Sequence, residues 1–246
     1  MWRMAPIQVV LTPSYGLIYY EMGILRSGIF GGFRKKTGPI IGRRGRGMNI
    51  ITGLHHPSTT EPTKKQGDAK EKFTLLTSFL NIIPDLVNMG FKHYAKNKRP
   101  LNLAYSYNYE NAFVVEGDHF LINYPKIMYS RGHIETPDGA GVVLESSLVV
   151  SEGSSIVSET RSIRFSWSPQ NQSVYCQYTD LGTFLVFNPA KDKAVVEVNA
   201  IARYSLEYSV ELPLDFEGDT VHCYMSFASA NGKFRGDSVY VGVVVS

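Results

Sequence analysis

Between Gly28 and Gly47 the chain reads GIFGGFRKKTGPIIGRRGRG, with seven glycines, six basic residues and no acid. Arg34, Lys35, Lys36, Arg43, Arg44 and Arg46 can each meet a phosphate, and glycines let a backbone approach a polyanion closely. The spacing excludes the specific phosphate sites. No Gly-Lys-Ser/Thr closes a four-residue gap, and the glycines do not fall as G-x-G-x-x-G before a helix. Catalytic patterns are missing as well. There is no G-x-S-x-G elbow and no H-E-x-x-H, and the His-x-Glu at His133 has no Pro-Cys-x-x-Cys partner. His55-His56 lacks ligating neighbours at metal spacing and reads as a solvated loop. Asp180, Asp215, Glu217 and Asp219 read as turn residues, without the order of a calcium loop. An enzyme is not expected, and no catalytic residue, metal or cofactor is assigned.

The charge distribution is uneven. The net charge of +3 divides into +11 over residues 1–100 and −8 over residues 101–246. A basic end that meets something anionic is one reading. Basic and acidic ends meeting each other, within or between chains, is the other. Two cysteines, Cys176 and Cys223, form no disulfide framework, although they can pair. Residues 1–21 have an early Arg and a broken apolar run without a cleavage site, which is not signal-peptide logic. They read as an upstream extension before Met22. No apolar run reaches membrane-spanning length, so no membrane span is expected, and the cytoplasm or a virion-type product is favoured.

The elements follow from periodicity and punctuation. Residues 22–60 mix short Ile/Phe runs with glycines, predicting a hairpin or an extended basic arm turned at Thr37 to Pro39. Residues 61–115 form a helical segment, with Thr60 a candidate N-cap and Pro62 in the first turn. Its apolar face runs Phe73, Leu76, Leu80, Ile83, Val87, Phe91 and Tyr94, widened by Leu75, Phe79, Ile82 and Leu86. Pro84 must break or kink it at Ile83. From Leu101 to Phe113 two periods compete: Leu101, Leu103, Tyr105, Tyr107 and Tyr109 alternate as a strand, while Ala104, Asn108 and Ala112 repeat every four residues as a helix. Tyrosine rows can stack bases, but core packing is their commoner use. Residues 116–246 alternate in short strands, with Ile163, Phe165 and Trp167 on one inward face and Val221, Cys223, Met225 and Phe227 on another. The fold class is therefore α+β: a basic Gly-rich N-terminal hairpin or arm, a helical middle and a C-terminal antiparallel β-sandwich of fibronectin type III or immunoglobulin-like kind.

The ordered blocks GIFGGFRKKTGPIIG, AKEKFTLLTSFLNIIPDLVNMGFKHYA, NLAYSYNYENAF, YPKIMYSRG, IRFSW and VHCYMSFASANGKFRGDSVYVG resemble an uncharacterised family of unknown function common in Bacteroidota. The resemblance covers essentially Met22 to Ser246 and implies the same three-part organisation. It implies no activity and no site residue. The arm departs from the family pattern, with RKKTG and RRGRGMN where members more often carry Gly-Lys and Trp-Lys-Gly. Two functional expectations follow. In the first, the protein is a non-catalytic structural or interaction component of a virion, filament or surface assembly, with protein partners or self-assembly. In the second, the arm tethers nucleic acid or another polyanion.

Overall fold

The computed structural model describes residues 22–25, 34–45, 47–54, 60–95, 98–150 and 157–246, with backbone alone at 22–25, 45, 147–150 and 157–159. The proposed extension over residues 1–21, the pair His55-His56 and the candidate Arg46 lie outside them. Chain contacts define two compact units, Met1–Glu61 and Pro62–Ser246.

The first unit carries more regular structure than one hairpin. Strands β1 (Met22–Leu25), β2 (Lys35–Thr37), β3 (Ile40–Gly45) and β4 (Met48–Gly53) form an antiparallel sheet in the order β1-β4-β3-β2. The turn expected at Thr37 to Pro39 joins β2 to β3, with Gly38 in the left-handed region that glycine adopts without strain. Ile41, Ile50 and Ile51 are only half-buried, and Ile40 is exposed.

The second unit begins with α1 (Lys64–Ile82), α2 (Pro84–Gly90) and α3 (Pro100–Asn108). Thr63, not Thr60, is the N-cap of α1. Its hydroxyl accepts from the Gln66 N–H while the Gln66 side chain accepts from the Thr63 N–H. This reciprocal pair satisfies two orphan donors, so the Thr-x-x-Gln box wins and Pro62 falls just outside the helix. The break at Ile83 is where Pro84 requires it. The centre of the predicted stripe is buried, while Phe73 and Tyr94 at its ends are exposed. In the ambiguous stretch the helical period prevails: Ala104, Asn108 and Ala112 are all buried. The Asn108 amide explains why a polar residue sits there, since it donates to the Met128 carbonyl and accepts from the Met128 N–H, both at 2.8 Å.

A hairpin of β5 (Phe113–Glu116) and β6 (His119–Ile122) leads to the sandwich. Its strands are β7 (Gly141–Val150), β8 (Val157–Ser166), β9 (Leu181–Asn188), β10 (Lys193–Ala202), β11 (Glu207–Glu211), β12 (Thr220–Ala228) and β13 (Val239–Val245). They pair as a three-stranded sheet, β11-β8-β7, and a four-stranded sheet, β10-β9-β12-β13. Ile163, Phe165 and Trp167 face Phe184, Val186, Val221, Cys223, Met225 and Phe227 in the core between the sheets. A second core unites α1, α2 and α3 with Leu185, Phe187 and Tyr224 on the other face of β9 and β12. The central strands β9 and β12 are thus buried on both sides, and helices and sandwich make one packed body. Both cysteines are free and buried, and burial pushes the Cys223 thiol up to about 12.

On that second face, His222 stacks on Tyr124 with ring centroids 4.0 Å apart and lies 3.0 Å from the Tyr240 hydroxyl. Burial lowers its pKa from 6.5 to about 4. The folded form therefore holds the neutral ring, and the unfolded chain takes up the proton first on acidification. This contribution is fully present above about pH 6.5 and is lost as the pH falls towards about 4. Discounted for water contact, the loss is expected to be on the order of 1–3 kcal/mol. Urea denaturation across that window checks it: His222→Phe, which keeps the stack and cannot titrate, should flatten the difference. Parallel pH profiles of the two proteins would refute it.

Candidate functional site

The basic residues singled out in the sequence are brought onto one small sheet but not onto one face. Partners across a sheet share a side, and neighbours along a strand alternate. The register Lys36↔Ile41 and Arg43↔Ile50 puts Lys36, Ile41, Arg43 and Ile50 on one face. Lys35↔Gly42↔Ile51 and Arg44↔Asn49 put Lys35, Ile40, Arg44 and Ile51 on the other. Each face thus has two cations beside two isoleucines. Arg34 precedes β2, and Arg34, Lys35, Lys36, Arg43 and Arg44 are all exposed. Among the described residues none of the five pairs with a carboxylate.

The candidate acidic turn residues prove to be structural. Asp215 pairs with Lys193 at 2.6 Å, Glu217 with Arg161 at 2.7 Å and Asp219 with Lys191 at 2.5 Å. No group of three His, Cys, Asp or Glu suited to a metal occurs among the described residues. Asp180 is buried, accepts from the Gln177 N–H at 2.8 Å, and lies 3.6 Å from Arg203 Nε.

Arg203 is the centre of a second arrangement, at the end of the sandwich where the β8–β9 loop runs. Its guanidinium donates to Gln170 Oε1 at 2.5 Å and to the Glu135 carbonyl at 2.7 Å, and sits 3.9 Å over the Phe227 ring. Its carbonyl accepts from Trp167 Nε1 at 2.8 Å. One side chain therefore ties together the segment before β7, the β8–β9 loop and the end of β10. Desolvation pulls the guanidinium pKa down and pushes the Asp180 carboxyl up, so the pair gains its value from geometry rather than from net attraction. Further bonds stitch the loop to residues 135–138: Glu135 N–H to the Tyr175 carbonyl at 2.9 Å, Ser173 hydroxyl to Glu135 Oε1 at 2.7 Å, and Ser168 N–H to the Asp138 carbonyl at 2.8 Å. Arg203→Lys keeps the charge but loses the planar fork. It should cost about 1–3 kcal/mol in urea denaturation, the value of two lost bonds near a charge; an unchanged midpoint would mean the fork is dispensable.

What this frame displays is apolar and aromatic. Val174 is 84% exposed and Tyr204 67%, and Tyr175 and Tyr178 are exposed beside them. The Tyr204 N–H donates to the Tyr178 carbonyl, and the His133 ring lies 5.9 Å from that of Tyr175. Alongside runs a shallow groove of about 340 Å³ lined by Glu135, Thr136, Asp138, Gln170 and Asp237. Rigid tyrosines on a braced loop bind surfaces at low entropic cost. The sequence signal was there in SPQNQSVYCQYTD, whose Ser, Asn, Gln and Tyr are the residues of adaptable recognition loops. Arg203 had no such signal, because its partners are more than twenty residues away in the chain.

The model of a family of unknown function, DUF6266, matches residues 32–242. The chain belongs to that family. The DUF6266 match takes in β2 to β4, the helices and all seven strands of the sandwich apart from the end of β13, and leaves out β1. No curated protein matches the chain, and no solved structure matches it. Among the described residues no helix is long and apolar enough to cross a membrane.

Proposed function

We propose that the protein is a non-catalytic structural or interaction component, one that works through surfaces in an assembly such as a virion, a filament or a surface layer. The observation that carries this reading is the braced pole around Arg203. A partly buried network centred on Arg203 braces the segments that carry Tyr175, Tyr178, Tyr204 and Val174 in solvent, where a monomer gains nothing from them. The strand distribution supports a fibronectin type III or immunoglobulin-like domain, a scaffold that commonly presents loops at its ends. The first, second and fifth strands share one sheet; the third, fourth, sixth and seventh share the other. The test is size-exclusion chromatography of the native protein from its own cells. Co-elution with defined polypeptides above 27.5 kDa is expected, and elution alone at monomer size overturns the reading.

A second reading has its own observation, the exposed and acid-free strands bearing Arg34, Lys35, Lys36, Arg43 and Arg44. They suit a polyanion bound with low sequence preference. If four or five phosphates are met, log K should fall against log salt with a slope of roughly −3 to −4.5. Changing Arg43 and Arg44 together to Ala should lower that slope by about 2. Titration against single- and double-stranded DNA at two salt concentrations measures it, and no binding at low salt ends the polyanion reading.

A further inference from the structure

We propose that the tyrosine-bearing pole of one copy receives the basic strands of a second copy, so that the chain assembles head to tail. This rests on the interaction reading above and names its partner. The pole offers exposed Tyr175, Tyr178 and Tyr204 beside the carboxylates of Glu135, Asp138 and Asp237; Lys233, at the β12–β13 turn, is the exposed cation of the adjoining loop. The strands offer the complement. On either face of the sheet two cations flank two isoleucines that are half-buried or exposed, and no carboxylate answers those cations among the described residues. The chemistry of the match is specific. Arginine stacks on tyrosine faces and donates a planar fork to carboxylates, while the isoleucines cover apolar ring surface. The chain already uses the first of these contacts within itself: the Arg131 guanidinium lies 4.4 Å from the Tyr107 ring centroid and 5.2 Å from that of Tyr94.

The charge balance of the whole chain points the same way, with +11 over residues 1–100 and −8 over residues 101–246. Unlike patches make a heterologous contact, which every copy can repeat, and such contacts form rings or open filaments rather than closed two-fold dimers. The complementarity also sets the salt response, because exposed charges are screened within about 10 Å at 0.1 M salt.

The experiment is sedimentation velocity on the full chain, freed of nucleic acid by nuclease and cation exchange, at about 50 mM and about 500 mM salt. Concentration-dependent association beyond a dimer at low salt, weakened at least about tenfold at high salt, is expected. The double variant Glu135→Lys with Asp138→Lys should weaken association at least about tenfold, as should one of two strand variants, Lys36→Glu with Arg43→Glu or Lys35→Glu with Arg44→Glu. Whichever strand variant succeeds identifies the docking face. A mixture of the pole variant with that strand variant must regain association, because the unmodified pole of the strand variant takes the unmodified strands of the pole variant and the Lys-bearing pole takes the Glu-bearing strands. A single cooperative denaturation transition shows that each variant folds. A strict monomer at low salt overturns the proposal, as do reversed variants that assemble normally. A chain that is monomeric when pure yet co-elutes with other polypeptides from its cells loses this partner and keeps the interaction reading. One that does neither loses both.

Discussion

Trp167→Ala is expected to cost about 3–5 kcal/mol of folding stability, the range for removing a fully packed large aromatic. Trp167 is 4% exposed, between the two sheets. Its ring lies 5.8 Å from that of Phe184 and 5.5 Å from that of Phe227, edge-on to the latter, so alanine opens a cavity lined by groups that cannot close it. The indole N–H also holds the Arg203 carbonyl, which links the core to the loop frame above it. Trp167→Phe separates the two effects. It keeps most of the ring contact and leaves the carbonyl without its donor, so about 1–3 kcal/mol should be lost. Urea denaturation of both variants measures this. A loss under about 1 kcal/mol for the alanine variant, the size of an ordinary surface change, would contradict the packing described.

The strands of the sandwich were legible because alternation and turn chemistry agree at each step. Val221, Cys223, Met225 and Phe227 share the inward face expected of them, and the Pro-Ala-Lys-Asp turn joins β9 to β10. The opposite face of β12 was not legible. His222, Tyr224 and Ser226 alternate with the apolar set as a solvent face does, yet Tyr224 is fully buried and Ser226 nearly so. Their polar groups are satisfied from the crossing segment instead: the Tyr224 hydroxyl donates to the Tyr124 carbonyl, and the Tyr129 hydroxyl donates to Ser226. A buried polar face with partners far away in the chain has the same pattern as a wet one. β9 held the better clue, since Thr-Phe-Leu-Val-Phe carries bulk on both faces, as a strand covered on both sides requires. In the first unit, glycines and charges hid a four-stranded sheet, because pairing β1 with β4 depends on register between distant segments rather than on local pattern. Of the candidate site, the basic residues were visible by composition, whereas their division between two faces followed only from that register. The tyrosine loop was visible by composition and its bracing was not.

Gly132→Ala is expected to be the most damaging Gly→Ala change among the described residues. A Cβ built there falls 1.7 Å from the Arg235 carbonyl oxygen and 2.4 Å from its carbon. No rotamer relieves a clash with backbone, so the two segments must separate. Separation would release the bonds that hold the crossing: His133 and Ile134 both donate to the Arg235 carbonyl, at 2.8 and 3.1 Å, and the Gly132 N–H donates to Asp237 Oδ1 at 2.8 Å. Overpacking alone costs about 1–3 kcal/mol, and losing the bonds about 1 kcal/mol each, so about 4 kcal/mol or more is expected in total. Gly67→Ala is the matching control. Gly67 lies inside α1 with open space where its Cβ would go, and alanine there should stabilise by up to about 1 kcal/mol through helix propensity. The two variants add the same methyl group with opposite signs because one glycine is required by a distant chain crossing and the other by nothing. Urea denaturation of both decides it: if Gly132→Ala unfolds within about 1 kcal/mol of the unmodified chain, the crossing of residues 132–134 over Arg235 is not as described.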